Sequence, residues 1–200
     1  MLFTFFAKFS LLMILAAFIS CNGVKENDGT GVGKGSYFPL SKGNTWSYKL
    51  IGSPGEAKYS VSVESVNERD TYTTARLNSF PFFWMKDDRR SLKLSRDGEL
   101  SLVIDGGDDI LLIPSKDKIK KDHNWKSGEW QCYITQTDTT VSEGGKDYKG
   151  CLQVNYSLSI TYLAEIWYAP GTGIVRWGFN RTNPPNMNFE YYYLEKYEVE

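Results

Sequence analysis

Over residues 152–162 the sequence alternates apolar and polar residues without a break, with Leu152 as the first apolar position and Tyr162 as the last. This period of two is that of a β-strand, whose successive side chains point to opposite faces. One apolar and one polar face are typical of an antiparallel sheet that is exposed to water on one side. Because the run is about twice the usual strand length, we expect a strand that bends, as in curved sheets and open barrels.

The chain beyond Ser36 indicates further short strands separated by turn residues. Apolar or alternating segments at 46–51, 91–95, 99–104 and 110–113 are separated by turn signals such as Arg96-Asp97-Gly98 and Asp105-Gly106-Gly107, as in hairpins. Only residues 115–124 suggest a short helical turn. The sequence therefore predicts an all-β fold for residues 37–200, a single domain built as one antiparallel, strongly curved sheet or incomplete barrel.

The first twenty residues have the layout of an export signal. Lys8 precedes an apolar run at 11–19, which ends at Ser20 and Cys21. The stretch Phe18-Ile19-Ser20-Cys21 resembles the lipobox of bacterial lipoproteins. This resemblance implies that residues 1–20 are a signal peptide and that Cys21 is the lipid attachment site of the mature chain. An uncleaved anchor helix that also uses the apolar residues before Lys8 is the alternative.

Residues 21–36 are predicted to be a flexible tether. The glycine-rich stretch at 29–36 resembles a phosphate-binding loop, but Asp28 and Gly35 occupy positions where that motif needs a glycine and a hydroxyl. A flexible linker fits the composition better. Asn22 follows the cysteine where Gram-negative lipoproteins kept in the inner membrane commonly have Asp. The resemblance therefore implies attachment to the outer membrane of a bacterial cell envelope, either on its periplasmic face or at the cell surface.

Composition argues against several functional classes. With 23 Lys and Arg against 24 Asp and Glu, the chain lacks the basic surplus expected for a nucleic-acid partner. Its one histidine, His123, does not suit a His-rich metal site, and the acidic loop 105–109 is better explained as a turn than as a calcium site. We expect no catalytic residue, cofactor or metal. A hydrolase that uses a pair of carboxylates remains an alternative.

Cys132 and Cys151 could form a disulfide in an exported protein. Cys132 shares an apolar strand face with Trp130 and Ile134. Cys151 directly precedes Leu152, so it should point to the strand face opposite to the apolar one. Residues that face each other in a hairpin must point to the same side. Only a bulge, for instance near 144–145, would allow the bridge, so we favour two unpaired cysteines.

Two segments resemble a group of bacterial envelope lipoproteins. Tyr37-Phe-Pro-Leu-Ser-Lys-Gly-Asn-Thr-Trp-Ser-Tyr48 is similar to their opening "YFPL-x-x-G-N-x-W-x-Y", and the segment from Trp167 to Val175 to their "W-Y-A-P-G-x-G-x-V". The family adds no activity. Both motifs also have a structural interpretation, since Pro170-Gly171 suits the middle of a type II turn.

Aromatic residues are abundant, with 13 Tyr, 11 Phe and 6 Trp. The segment 80–85 is bulky on both strand faces, so it is either buried on both sides or presents one side to a ligand or partner. The predicted binding face consists of Phe82, Phe83, Trp84, Trp167 and Tyr168. The resulting hypothesis is a non-catalytic, lipid-anchored envelope protein that binds an apolar small molecule or an envelope protein through this face. A purely structural role in an envelope assembly is the remaining alternative.

Overall fold

The computed structural model describes residues 35–51, 58–80, 91–158, 162–180 and 189–199. It contains one 3-10 helix, Lys116–Lys118, in the region where a helical turn was expected. The predicted all-β fold is confirmed. The strands are β1 Thr45–Leu50, β2 Lys58–Glu68, β3 Tyr72–Leu77, β4 Ser91–Ser95, β5 Leu100–Val103, β6 Ile110–Ile113, β7 Asn124–Ser127, β8 Trp130–Glu143, β9 Lys146–Leu158, β10 Tyr162–Ala169, β11 Gly173–Asn180 and β12 Phe189–Glu198.

All strands belong to one 12-stranded antiparallel sheet with the order β6-β5-β4-β3-β2-β1-β12-β11-β10-β9-β8-β7. Pairing of β1 with β12 joins the two halves of the chain. At the ends of the sheet, side chains of β7 bridge to β6: the Leu111 N–H donates to Ser127 Oγ at 2.6 Å, and Trp125 Nε1 donates to the Leu111 carbonyl at 3.1 Å. The sheet is therefore the predicted incomplete barrel, with an unsealed seam between β6 and β7.

Fully buried aromatic residues fill the inner face of the sheet. Trp46, Tyr48 and Tyr168 have no exposed surface. Tyr156 donates its hydroxyl proton to the Leu112 carbonyl at 2.7 Å, and its oxygen lies 2.9 Å from the Tyr168 hydroxyl. These bonds satisfy polar groups that would otherwise be costly to bury.

The long alternating run belongs to two strands, so the prediction of one bent strand is wrong. β9 ends at Leu158, β10 begins at Tyr162, and these two residues face each other in the antiparallel ladder. The polar face of the run is also not exposed to water, because Gln153 and Asn155 are only 7% and 5% exposed. Periodicity identifies which residues share a face but not where the chain reverses or what covers the face.

Bending occurs instead in the hairpin of β8 and β9. Its register shifts several times between Ile134 and Val141, and Asp138 and Gly150 have positive φ angles of 53° and 68°. Irregularities of this kind increase the local twist of a strand pair. The hairpin closes with the two-residue turn 144–145, in which both glycines have positive φ, as in a type I′ turn.

No helix in the described part of the chain is long and apolar enough to cross a membrane. The predicted signal peptide, Cys21 and the tether up to residue 34 lie outside the described residues. Their assignment stays a prediction from the sequence.

Candidate functional site

The two motifs that resemble envelope lipoproteins contact each other directly. The Gly171 N–H donates to the Ser36 carbonyl at 2.8 Å. Trp46 Nε1 donates to the Thr172 carbonyl at 2.6 Å, and the Tyr48 hydroxyl donates to the Ile174 carbonyl at 3.0 Å. Trp46 and Tyr48 of the first motif and Gly171 of the second thus have a structural role at the junction of the two halves of the sheet.

The glycines of the second motif permit this close approach. Gly171 has a φ of 68°, and the Thr172 N–H donates to the Ala169 carbonyl at 3.1 Å, as expected for a type II turn with Pro170 in its first central position. Gly173 has a φ of 102°, and a Cβ atom here would lie 3.1 Å from Trp46 Nε1. A larger residue would therefore strain the backbone and crowd the junction.

The predicted aromatic binding face is only partly described. Trp167 and Tyr168 are consecutive strand residues and point to opposite faces: Tyr168 is fully buried in the core, whereas Trp167 is half-buried on the outer face. Of these two residues only Trp167 therefore reaches the outer face. Phe82, Phe83 and Trp84 lie outside the described residues.

Two adjacent rows of side chains cross the outer face of β8 to β12, and Trp167 lies in one of them. The residues that alternate with them, such as Val154, Ile166 and Trp177, are buried in the core. One row consists of the cross-strand neighbours Tyr133, Asn155, Glu165, Gly178 and Tyr191; the next contains Gln153, Trp167 and Arg176. We call "outer patch" the six side chains of Tyr133, Asn155, Glu165, Trp167, Arg176 and Tyr191.

A hydrogen-bond chain connects the first row. The Tyr191 hydroxyl donates to Glu165 Oε2 at 3.0 Å, and Asn155 Nδ2 lies 3.4 Å from Glu165 Oε1 and 3.3 Å from the Tyr133 hydroxyl. Burial, followed by the neighbouring Glu165 charge and hydrogen bond, raises the pKa of Tyr191 to about 12. Tyr191 is thus a protonated donor near neutral pH, and the position of the Glu165 carboxylate is fixed from two sides.

Arg176 connects the two rows. Its Cζ lies 5.0 Å from the centroid of the Trp167 ring and 4.5 Å from that of Tyr191, within the range of cation–π interactions. Its NH1 lies 3.3 Å from Glu143 Oε1 near the end of the β8–β9 hairpin. Two aromatic rings and one carboxylate therefore hold this half-buried guanidinium in place.

Gly178 makes room for Tyr191. These residues are directly opposite each other in β11 and β12, and a Cβ atom on Gly178 would lie 2.3 Å from Tyr191 Cδ1. Real Cβ atoms do not come so close to a ring atom. The absence of a side chain at 178 thus lets the Tyr191 ring reach across β11 to Glu165.

Sequence reasoning missed five of the six residues of the outer patch. Asn155 belonged to a face interpreted as wet, Arg176 had no motif around it, and Tyr191 stood out only as one of several aromatic residues near the end of the sequence. The spacing of Glu165 and Trp167 by two residues could have placed them on one strand face. Which residues of β9, β11 and β12 face that pair depends on strand register, and the bulge between Trp167 and Tyr168 shifts it.

The structure also describes the two cysteines, the histidine and one aspartate of the acidic loop. Cys132 and Cys151 are buried and free; they face Tyr156 and Thr139, respectively, in the ladder. Burial raises the pKa of Cys132 to about 12 and that of Cys151 to about 11. His123 stacks on Trp125, and Asp109 pairs with Lys93 at 2.6 Å. Within the described ranges, no group of three or more His, Cys, Asp or Glu side chains could hold a metal ion.

Two solved structures of bacterial proteins share this fold. No protein-family model and no curated protein matches the sequence. A predicted exported protein with a YmcC-like fold from Bacteroides fragilis NCTC 9343 is 14% identical, with a TM-score of 0.51 over 82% of this chain and 100% of its own. A predicted lipoprotein from Parabacteroides distasonis ATCC 8503 is also 14% identical, with a TM-score of 0.50 over 82% of this chain and 98% of its own. At this identity the similarity concerns the fold.

Proposed function

We propose that this protein is a lipid-anchored, non-catalytic protein of the bacterial cell envelope that binds a ligand or an envelope partner through the outer patch. The lipobox-like segment ending at Cys21 supports the anchor. The similar folds of a predicted exported protein and a predicted lipoprotein support the location. Several acyl chains on Cys21 would hold the domain stably on a membrane, where a single chain would not, and outer-membrane attachment is part of the proposal.

The single observation that carries the binding function is which residue types the outer patch contains and how firmly neighbouring groups hold them. Trp, Tyr and Arg are the residues most enriched at the energetic centres of binding surfaces, and here all three occur on adjacent strands. Trp167 and Arg176 are held by rings, a carboxylate and hydrogen-bonded neighbours. A rigid surface loses little side-chain entropy when it binds.

Native mass spectrometry tests the proposal most simply. The full-length protein is extracted from membranes of its own host in mild detergent and compared with the Trp167→Ala variant. We expect additional bound mass on the wild-type protein and its loss in Trp167→Ala. Tyr72→Ala serves as the matched control, because Tyr72 is a half-buried aromatic residue of β3 outside the outer patch. Bound mass that persists in Trp167→Ala but disappears in Tyr72→Ala would contradict the proposal.

A further inference from the structure

We infer that the outer patch binds a neutral, polyhydroxylated chain, that is, a segment of a glycan. This inference rests on the proposed binding function and adds the chemical class of the ligand. It also replaces the apolar ligand that the sequence alone suggested.

The first argument is the shape of the patch. Its first row crosses five adjacent strands, from Tyr133 on β8 to Tyr191 on β12. With about 4.8 Å between neighbouring strands, the row is about 19 Å long. Within this row Asn155 and Gly178 are buried, so a ligand would contact Tyr133, Glu165 and Tyr191 along it, with Trp167 and Arg176 beside them. Contact points spread over this length suit an extended chain of several rings better than a compact small molecule.

The second argument is the alternation of apolar and polar groups along this surface. Tyr133, which is 37% exposed, and the half-buried Trp167 provide ring surfaces. Glu165 accepts hydrogen bonds, Arg176 donates them, and the Tyr133 hydroxyl does both. Sugar hydroxyls can donate and accept, and the C–H groups of a sugar ring can pack on aromatic surfaces. An apolar ligand would instead desolvate the hydrogen-bonding capacity that these groups keep beyond their bonds within the protein, which costs up to about 1–3 kcal/mol for each group.

The third argument is the charge of the patch. The only cation among the six side chains, Arg176, is already paired with Glu143 and lies against two aromatic rings. The Glu165 carboxylate opposes an anionic ligand, and Arg176 already occupies the position at Trp167 and Tyr191 that a cationic ligand would take. A neutral ligand avoids both conflicts.

Binding to glycan prepared from the host envelope tests the inference. The envelope fraction is digested with protease, its polysaccharide is immobilised, and the detergent-extracted full-length protein is passed over it. We expect saturable binding, a decrease in affinity of at least about tenfold for Trp167→Ala, and an unchanged affinity for Tyr72→Ala. Because no counterions are released, raising the salt concentration should change the affinity by less than about twofold.

Oxidation with periodate, which cleaves vicinal diols, separates the outcomes. Loss of binding after periodate supports a glycan ligand. The protein could instead bind untreated envelope material in a way that survives periodate but is lost after protease. This result would overturn the glycan assignment and leave the proposed binding function intact. The absence of Trp167-dependent binding to any of these fractions would overturn both. Binding that falls steeply with salt would also overturn the inference, because it would identify a charged ligand.

Discussion

The hydroxyl of Tyr48 joins parts of the chain that are 126 residues apart, since it donates to the Ile174 carbonyl at 3.0 Å in a fully buried position. Tyr48→Phe would leave this carbonyl without that donor inside the core. We expect the free energy of unfolding to fall by about 1–3 kcal/mol, measured by urea denaturation. Tyr72→Phe is the control, and an equal effect of both changes would show that the buried bond contributes little.

The buried cysteines make stability sensitive to alkaline pH. The ordinary thiol pKa of 9.0 rises to about 12 at Cys132 and about 11 at Cys151, mainly through burial. Above pH 9 the unfolded chain therefore loses thiol protons that the folded chain retains. This contribution is fully present below pH 9 and decreases as pH rises towards 11 and 12.

We therefore expect the urea midpoint to fall between about pH 8 and about pH 9.5, where ordinary tyrosines are still mostly protonated. The double variant Cys132→Ala, Cys151→Ala should be less stable at pH 8 but should lose less stability over this interval. An identical decrease in both proteins would show that other groups cause the pH dependence.

Single residues were the level at which the sequence was least informative. Gln153 and Asn155 have the composition of a wet strand face, yet both are almost completely buried. Asn155 is hydrogen-bonded to Tyr133 and Glu165, and Gln153 is hydrogen-bonded to Asn155. Such burial depends on side chains from neighbouring strands, which no local pattern reveals.

At the scale of strands, the approach of Gly178 and Tyr191 supports the geometry of the outer patch. Gly178→Ala places a Cβ atom 2.3 Å from the Tyr191 ring, so the ring must move and its bond to Glu165 must weaken. We expect a loss of about 1–3 kcal/mol in stability, together with weaker ligand binding. The measurements are urea denaturation and the binding assay described above.

A double-mutant cycle separates crowding from other effects of the alanine. If the clash with Tyr191 is the cause, Gly178→Ala should be tolerated in a Tyr191→Ala background, with a coupling energy on the order of 1 kcal/mol or more. Strictly additive effects would mean that position 178 does not control the position of Tyr191.

Short strands between clear turn signals were well predicted. β4 and β6 coincide with the predicted segments, and Gly98, with a φ of 89°, closes the turn expected at residues 96–98. The boundary between β9 and β10 was missed, because apolar and polar residues alternate straight through it. A glycine in a turn thus allows the end of a strand to be predicted, whereas the alternation of apolar and polar residues alone does not.

For the whole molecule, the pairing of β1 with β12 determines the architecture. The sequence predicted a curved sheet, but not that the opening motif and the motif near Pro170 would meet. Their contacts include Trp46 with Thr172 and Tyr48 with Ile174. Contacts between residues so distant in the sequence leave no local periodic signal. For the same reason, the sequence did not predict which residues come together in the outer patch.

The proposed membrane attachment also concerns the whole molecule. Because acylation of Cys21 would provide the anchor, Cys21→Ala should move the protein from the membrane fraction to the soluble fraction or leave its signal peptide uncleaved. Fractionation and intact mass measurement distinguish these results. Cys132→Ala is a matched control that should leave attachment unchanged. A correctly processed Cys21→Ala protein that remains on the membrane would contradict the lipid anchor.

The position of the binding surface is tested most directly by the tryptophan indole N–H resonances in a two-dimensional NMR spectrum. The Trp167 side chain belongs to the outer patch, whereas the Trp46 indole is bonded to the Thr172 carbonyl inside the sheet at 2.6 Å. On addition of the envelope glycan, we expect the Trp167 resonance to shift and the Trp46 resonance to stay in place. A shift of Trp46 with an unchanged Trp167 would place the ligand in the interior and contradict the outer patch as the binding site.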